Sequence, residues 1–99
     1  MRPRVEQKGW KQFLQLCRSV KTGKQLNKFF DLLLTYDEKK AIANRIHIIR
    51  ELLRNEKTQR TIAEEFCVSI AKITRGSNCL KSISKELRDF LVKECKDDK

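Results

Sequence analysis

Residues 59–81 read QRTIAEEFCVSIAKITRGSNCLK, and the spacing of their apolar side chains spells helix, tight turn, helix. Ile62 and Ala63 face inward on the first helix, Phe66 closes it, and Cys67 stands where the chain must turn. A turn residue there favours positive φ, which glycine adopts more easily than cysteine. Val68 plugs the corner, Ser69 is placed to cap the next helix, and Ile70 and Ile73 form that helix's inner face. Ala63 is small enough to let the two helices approach closely. Lys72, Arg75 and Lys81 are left outside, with no acid between them. This is the layout of a helix-turn-helix whose second helix lies in a DNA major groove, and equally that of a plain packed helical hairpin.

Working upstream, Ile42, Ile46, Ile49, Leu52 and Leu53 predict a third helix over about 36–54, with Asn55 as its end. Thr35-Tyr36-Asp37-Glu38 opens it as a capping box, in which the hydroxyl takes an orphan N–H and Glu38 reaches back. Trp10, Phe13, Leu14, Cys17 and Val20 predict a first helix from about Val5 to Lys21, broken by Thr22-Gly23. A short second helix follows over Leu26–Leu33. Downstream, Ser82-Ile83-Ser84 is a break, and Ser84 caps a last helix carrying Leu87, Phe90, Leu91 and Cys95; the tail KECKDDK is expected to fray. No strand signal or repeat interrupts this all-α pattern.

Ninety-nine residues make one domain with a thin core. The broad apolar faces of the first, second and last helices exceed what so short a hairpin can bury, which argues for interdigitation with a second copy. No apolar run is long enough to cross a bilayer, and MRPRVEQKGWKQF lacks the core of a secretory signal, so the chain reads as cytoplasmic with no membrane partner. The net charge is +10, and residues 1–28 hold eight Lys or Arg against one acid. Residues 1–9 form a basic arm. Such a surface attracts polyanions without regard to sequence. Cys17, Cys67, Cys79 and Cys95 contain no C-x-x-C pair and His47 stands alone, so no metal site and no disulfide framework are expected. The cysteines read as small buried hydrophobes. With one His, no Cys–His motif and no clustered acids, no catalytic residues are assigned and an enzyme is disfavoured.

Two residues fit a plain DNA-binding module poorly. Arg45 lies three after Ile42 and four before Ile49, inside the apolar stripe, where a guanidinium is costly unless paired or stacked on something flat. It reads either as an internal ion pair or snorkelling side chain, or as a carboxylate receptor. Gly76 sits midway along the second helix of the motif and costs about 1 kcal/mol there relative to Ala. It reads as a frayed helix end, or as a place where something flat lies against the backbone.

At this point the chain resembles the tryptophan repressor family. The resemblance rests on Ile73-Thr74-Arg75-Gly76-Ser77-Asn78 with Leu80-Lys81, on Leu33-Leu34-Thr35, Asp37-Glu38 and Arg45, and on Ile48-Ile49, Glu51-Leu52-Leu53-Arg54 and Gln59-Arg60. It runs from about Leu32 to Leu91. It implies an intertwined six-helix homodimer that binds L-tryptophan as corepressor, with no other cofactor, and represses tryptophan genes at a palindromic operator in double-stranded DNA. In that family the indole lies between two arginines, at the positions of Arg45 and Arg75. The Arg75 position also receives the carboxylate, with help from the Thr35 position. Backbone carbonyls at the Leu32 and Leu34 positions of the other subunit accept from the ammonium group, and Gly76 matches a glycine lying against the ligand. Arginine suits the stacking role because its plane is weakly hydrated and cationic over a ring.

The implied DNA-facing set is Gln59 and Arg60 at the start of the first helix of the motif, Ile70, Ala71, Lys72 and Thr74 at the tip of the second, and Asn78 and Lys81 beyond. Arg60 keeps a guanine contact of the family. The chain also departs from the pattern. Cys79 replaces a serine that helps hold the amino group, Lys72 replaces a threonine beside the ligand, and Ala63 replaces a lysine on the DNA side. These changes bear on ligand affinity and on the operator read. The alternative is a ligand-independent helix-turn-helix protein of the same fold.

Overall fold

The structure, a computed structural model, describes residues 3–96. Those residues form six helices, α1 (Pro3–Ser19), α2 (Gly23–Leu33), α3 (Tyr36–Arg54), α4 (Gln59–Phe66), α5 (Ile70–Ser82) and α6 (Lys85–Lys96), and no strand. By internal contacts the chain divides into two compact units, one up to Asp37 and one from Glu38 onward.

The first unit holds α1 and α2. Helix α1 starts and stops two residues before the expected Val5 and Lys21, with Pro3 at its first position, where the missing N–H costs nothing. Helix α2 corrects the sequence reading more substantially. Thr22-Gly23 is not a break between helices but the start of α2: Thr22 Oγ1 accepts from the Gln25 N–H at 3.1 Å, while the Lys21 N–H donates to Gln25 Oε1 at 3.0 Å. This reciprocal T-x-x-Q capping arrangement was written in Thr22-Gly23-Lys24-Gln25. Aromatic rings join the two helices, with Trp10 stacked on Phe13 at 5.1 Å and Phe13 at 6.2 Å from both Phe29 and Phe30. Even so, α2 buries no residue, and Leu33 stays 47% exposed.

The second unit is built on α3. Its expected span holds, and Asn55 ends it in the left-handed region at φ 55, its N–H donating to the Glu51 carbonyl at 3.2 Å. The expected inner stripe is rotated. Ile48 is the buried residue, Leu52 packs beside it, and Ile42 and Ile46 remain 45% and 44% exposed. The core consists of Ile48, Ile62, Ala63 and Ile73, flanked by Leu52, Phe66 and Val68. Across this core α3 also meets α4 through His47, whose ring stacks on Phe66 at 5.5 Å.

Helix α5 runs unbroken through Gly76 to Ser82, so that glycine is no frayed end, and the break begins at Ile83. The last helix is capped as expected by Ser84, whose hydroxyl accepts from the Leu87 N–H at 3.1 Å. It continues through Lys96, so residues 93–96 are helical instead of frayed, and the remainder of the tail lies outside the described residues. The cysteines are not buried hydrophobes. Cys67 and Cys79 are exposed, Cys17 and Cys95 half-buried, and all four are free thiols.

Candidate functional site

The turn between α4 and α5 fixes how α5 is presented. Thr58 caps α4 by accepting from the Thr61 N–H at 3.1 Å. At the other end Cys67 takes the left-handed conformation, φ 55 and ψ 43, despite being no glycine. Its N–H donates to Glu64 and the Val68 N–H to the Ala63 carbonyl at 3.0 Å, a Schellman-type ending. Ser69 then caps α5, its oxygens accepting from the Lys72 N–H. With Ile62 and Ile73 at 0% exposure, the two helices lock across this corner. Val68 seals it, as the sequence indicates.

Two interactions that the sequence did not disclose brace α4, one to α5 and one to α3. Thr74 of α5 donates its hydroxyl hydrogen to Gln59 Oε1 of α4 at 2.9 Å. Both residues belong to the expected DNA-facing set, and each orients the other. The Lys57 ammonium, in the α3–α4 turn, donates to Glu65 Oε1 of α4 at 2.7 Å and meets Glu51 Oε2 of α3 at 3.5 Å. The Glu65 hydrogen bond, with the field of Glu51, holds the Lys57 pKa above its ordinary 10.5. These spacings of eight and six residues match no local helical pairing, so only the folded turn brings them together. Arg88 is a third case: its guanidinium donates to the Leu80 carbonyl, tying α6 to the end of α5.

The outer face of α5 carries the candidate site. Ala71, Thr74, Arg75, Asn78, Cys79 and Ser82 line one hollow of about 540 Å³. That falls within the roughly 300–1,000 Å³ usual for small-molecule sites. All six residues recur at helical spacing on a single helix, so the hollow is half a pocket, with one wall and an open side. It brings Arg75 and Cys79, expected at the ligand, together with Ala71, Thr74 and Asn78, expected at DNA. Lys72, Lys81 and Arg60 are exposed.

Several expectations change here. Ile70 is 50% exposed and does not belong to the inner face. Arg45 is exposed, so its place in the apolar stripe entails no buried charge. Gly76 is half-buried against α3: a Cβ there would meet Ile48 Cγ2 at 3.3 Å and Leu52 Cδ1 at 3.4 Å. Close packing of α5 on α3 therefore supplies a cause for the glycine that needs no ligand. Ala63, where the resemblance expects lysine, is 8% exposed and part of the core, so the lost cation is exchanged for packing. Leu32 is 83% exposed, Thr35 exposed and Leu34 half-buried, all in the first unit. Among the described residues no three His, Cys, Asp or Glu side chains gather as a metal site, and no helix is long and apolar enough to cross a membrane.

Residues 8–95 match the family model described as Trp repressor protein. The chain belongs to the Trp repressor family. It is 51% identical over 89 residues to a Trp operon repressor homolog of Chlamydia trachomatis serovar D, covering 90% of this chain and 95% of that protein. A Trp operon repressor homolog of Chlamydia caviae is 47% identical over 84% of this chain and 82% of its own length. One from Vibrio campbellii is 42% identical over 87% and 86%. This membership makes the protein a transcription regulator of the Trp-repressor type.

Proposed function

We propose that the protein is an L-tryptophan-dependent repressor that acts as a homodimer in the cytoplasm, on a palindromic operator of tryptophan biosynthesis or transport genes. The α4–turn–α5 unit is its helix-turn-helix, with α5 in the major groove. In a dimer the two reading helices meet half-sites about one helical turn, roughly 34–36 Å, apart.

The hollow on α5 carries the proposal. A ligand seated on Arg75 and Cys79 shares a helix face with Ala71, Thr74 and Asn78, so binding there necessarily alters the reading surface. On the family's pattern the indole lies between the guanidinium groups of Arg45 and Arg75, with Lys72 at its edge, while Gly76, packed on Ile48 and Leu52, stands outside the hollow. Arg75 and Thr35 take the carboxylate, and the Leu32 and Leu34 carbonyls of a second copy take the ammonium. In that assignment a second copy supplies the wall missing from the open side of the hollow. Tryptophan favours the DNA-competent arrangement only by binding it better than the others, and operator must tighten tryptophan binding by the same factor.

The test is calorimetric titration of L-tryptophan with and without duplex selected from random DNA by the tryptophan-loaded protein. Tighter tryptophan binding on DNA is expected. Equal affinity in the two titrations rejects the mechanism.

The exposed Arg45 and the packing cause for Gly76 favour a second reading, a ligand-independent DNA-binding protein of the same fold. A gel shift that is identical with and without tryptophan selects it.

A further inference from the structure

A second hollow in the unit from Glu38 onward has no part in the tryptophan site. Four elements converge on it. Asn55 comes from the left-handed end of α3, Lys57 from the turn after it, Gln59 from the start of α4, Ser77 and Lys81 from α5, and Arg88 from α6. Three of these are cations, the other three are neutral hydrogen-bonding side chains, and no carboxylate lines the space.

Its size limits what it can hold. The hollow measures about 190 Å³, against roughly 30 Å³ per water in the liquid and about 300 Å³ at the lower end for drug-sized ligands. A small polyatomic ion fits. The charge decides its sign. The Lys57 ammonium is already paired, with Glu65 at 2.7 Å and Glu51 at 3.5 Å, so the unpaired positive charge of the niche rests on Lys81 and Arg88. Arg88 spends one of its five N–H donors on the Leu80 carbonyl and keeps its full charge. Lys81 has no carboxylate partner among the described residues. Two cations without a carboxylate partner, brought to one niche, repel each other unless an anion neutralises them. The surrounding amides and hydroxyl add donors that a multi-oxygen anion can use and a halide cannot.

We propose that this hollow is a phosphate seat, holding one phosphate group on Lys81 and Arg88, with Lys57 shielding it from Glu51 and Glu65, and Ser77 and Asn55 donating to the remaining oxygens. The phosphate belongs either to a DNA backbone, in which case the seat deepens the DNA-binding reading, or to a free phosphate ion, in which case it stands without that reading.

Two measurements on the full-length chain test the seat, and neither involves tryptophan, so failure of the corepressor reading leaves both interpretable. In the first, inorganic phosphate is titrated at constant ionic strength against a chloride reference while backbone amide resonances are followed. Saturable shifts at Ser77 and Lys81 are expected. Affinity should fall about tenfold or more in Arg88→Gln, the loss of one charge-assisted hydrogen bond. Lys57→Met leaves the Arg88–Leu80 contact untouched and should also weaken phosphate, so it carries the test if Arg88→Gln fails to fold. In the second, the salt dependence of binding to random duplex is compared between wild type and the same variants. A drop in slope of about 1, with equal loss on all sequences, assigns the phosphate to DNA. An unchanged slope with saturable phosphate binding assigns it to the free ion. No saturable shift together with unchanged slopes overturns the proposal.

Discussion

Ile62 and Ile73 in the second unit have 0% of their surface exposed, whereas in the first unit Trp10 keeps 61% and Leu32 keeps 83%. The second unit closes a core on itself, because α4 and α5 meet across a capped turn and α3 lays Ile48 and Leu52 against them. The first unit is richer in aromatic rings, yet α1 and α2 lie too few to enclose them. The rings stack on one another, yet Phe13, Phe29 and Phe30 are only half-buried and Trp10 is exposed. Two helices cannot surround a ring, since each contributes one face and a third surface is needed. The proposed second copy would supply it. On this view the reading corner lives in the self-contained unit and assembly in the open one.

The largest expected effect tests the open unit. If a second copy covers the aromatic cluster, Phe30→Ala should cost about 3–5 kcal/mol, as for a core phenylalanine. The wild-type unfolding midpoint should itself fall on dilution, and the variant should need a higher concentration to associate. Sedimentation equilibrium beside urea titration measures both. A loss well under 1 kcal/mol with unchanged mass would erase the contrast between the units. Next, Ile73→Ala should remove about 2–5 kcal/mol through the cavity it leaves, while sedimentation shows the association of the chains preserved. Loss of association in that variant would mean that the core and the open face are not separable.

A smaller effect separates packing from ligand at Gly76. In Gly76→Ala the new methyl meets the ends of Ile48 and Leu52, side chains that can give by a few tenths of an ångström. Alanine's better helix propensity, worth about 1 kcal/mol, works the other way. Stability should therefore change by less than about 1 kcal/mol. Tryptophan affinity falls only if the ligand also rests there, and calorimetry reads that difference.

The smallest effect concerns Lys57. Its pKa is raised in the fold, so its contribution is fully present below the unfolded value of 10.5 and is lost as pH rises through the folded one. Unfolding free energy followed above pH 10.5 should decline less steeply in Lys57→Met than in wild type. Parallel curves would mean that the Glu51–Lys57–Glu65 bridge contributes nothing to stability, as many exposed pairs do.

How much of this was legible before folding varies from residue to residue. The span of α3, the turn at Cys67, the Ser69 and Ser84 caps and the outward Lys72, Arg75 and Lys81 were readable, because capping and helical periodicity act within a few residues. The start of α2 was readable too, in the T-x-x-Q of Thr22 and Gln25, but Gly23 drew attention as a breaker. Ile42 and Ile46 misled because a stripe pattern tells which residues want cover without telling what provides it.

The sequence by itself determined the six helices, the corner between α4 and α5, and the family signature around Arg75 and Gly76, all of them local in the chain. Only the tertiary structure decided that Ile48 and not Ile46 faces the core, that Gly76 lies against α3, and that Lys57, Lys81 and Arg88 share one hollow. Those outcomes depend on how helices rotate and approach across the core, which side-chain volumes set collectively and no short window of residues encodes.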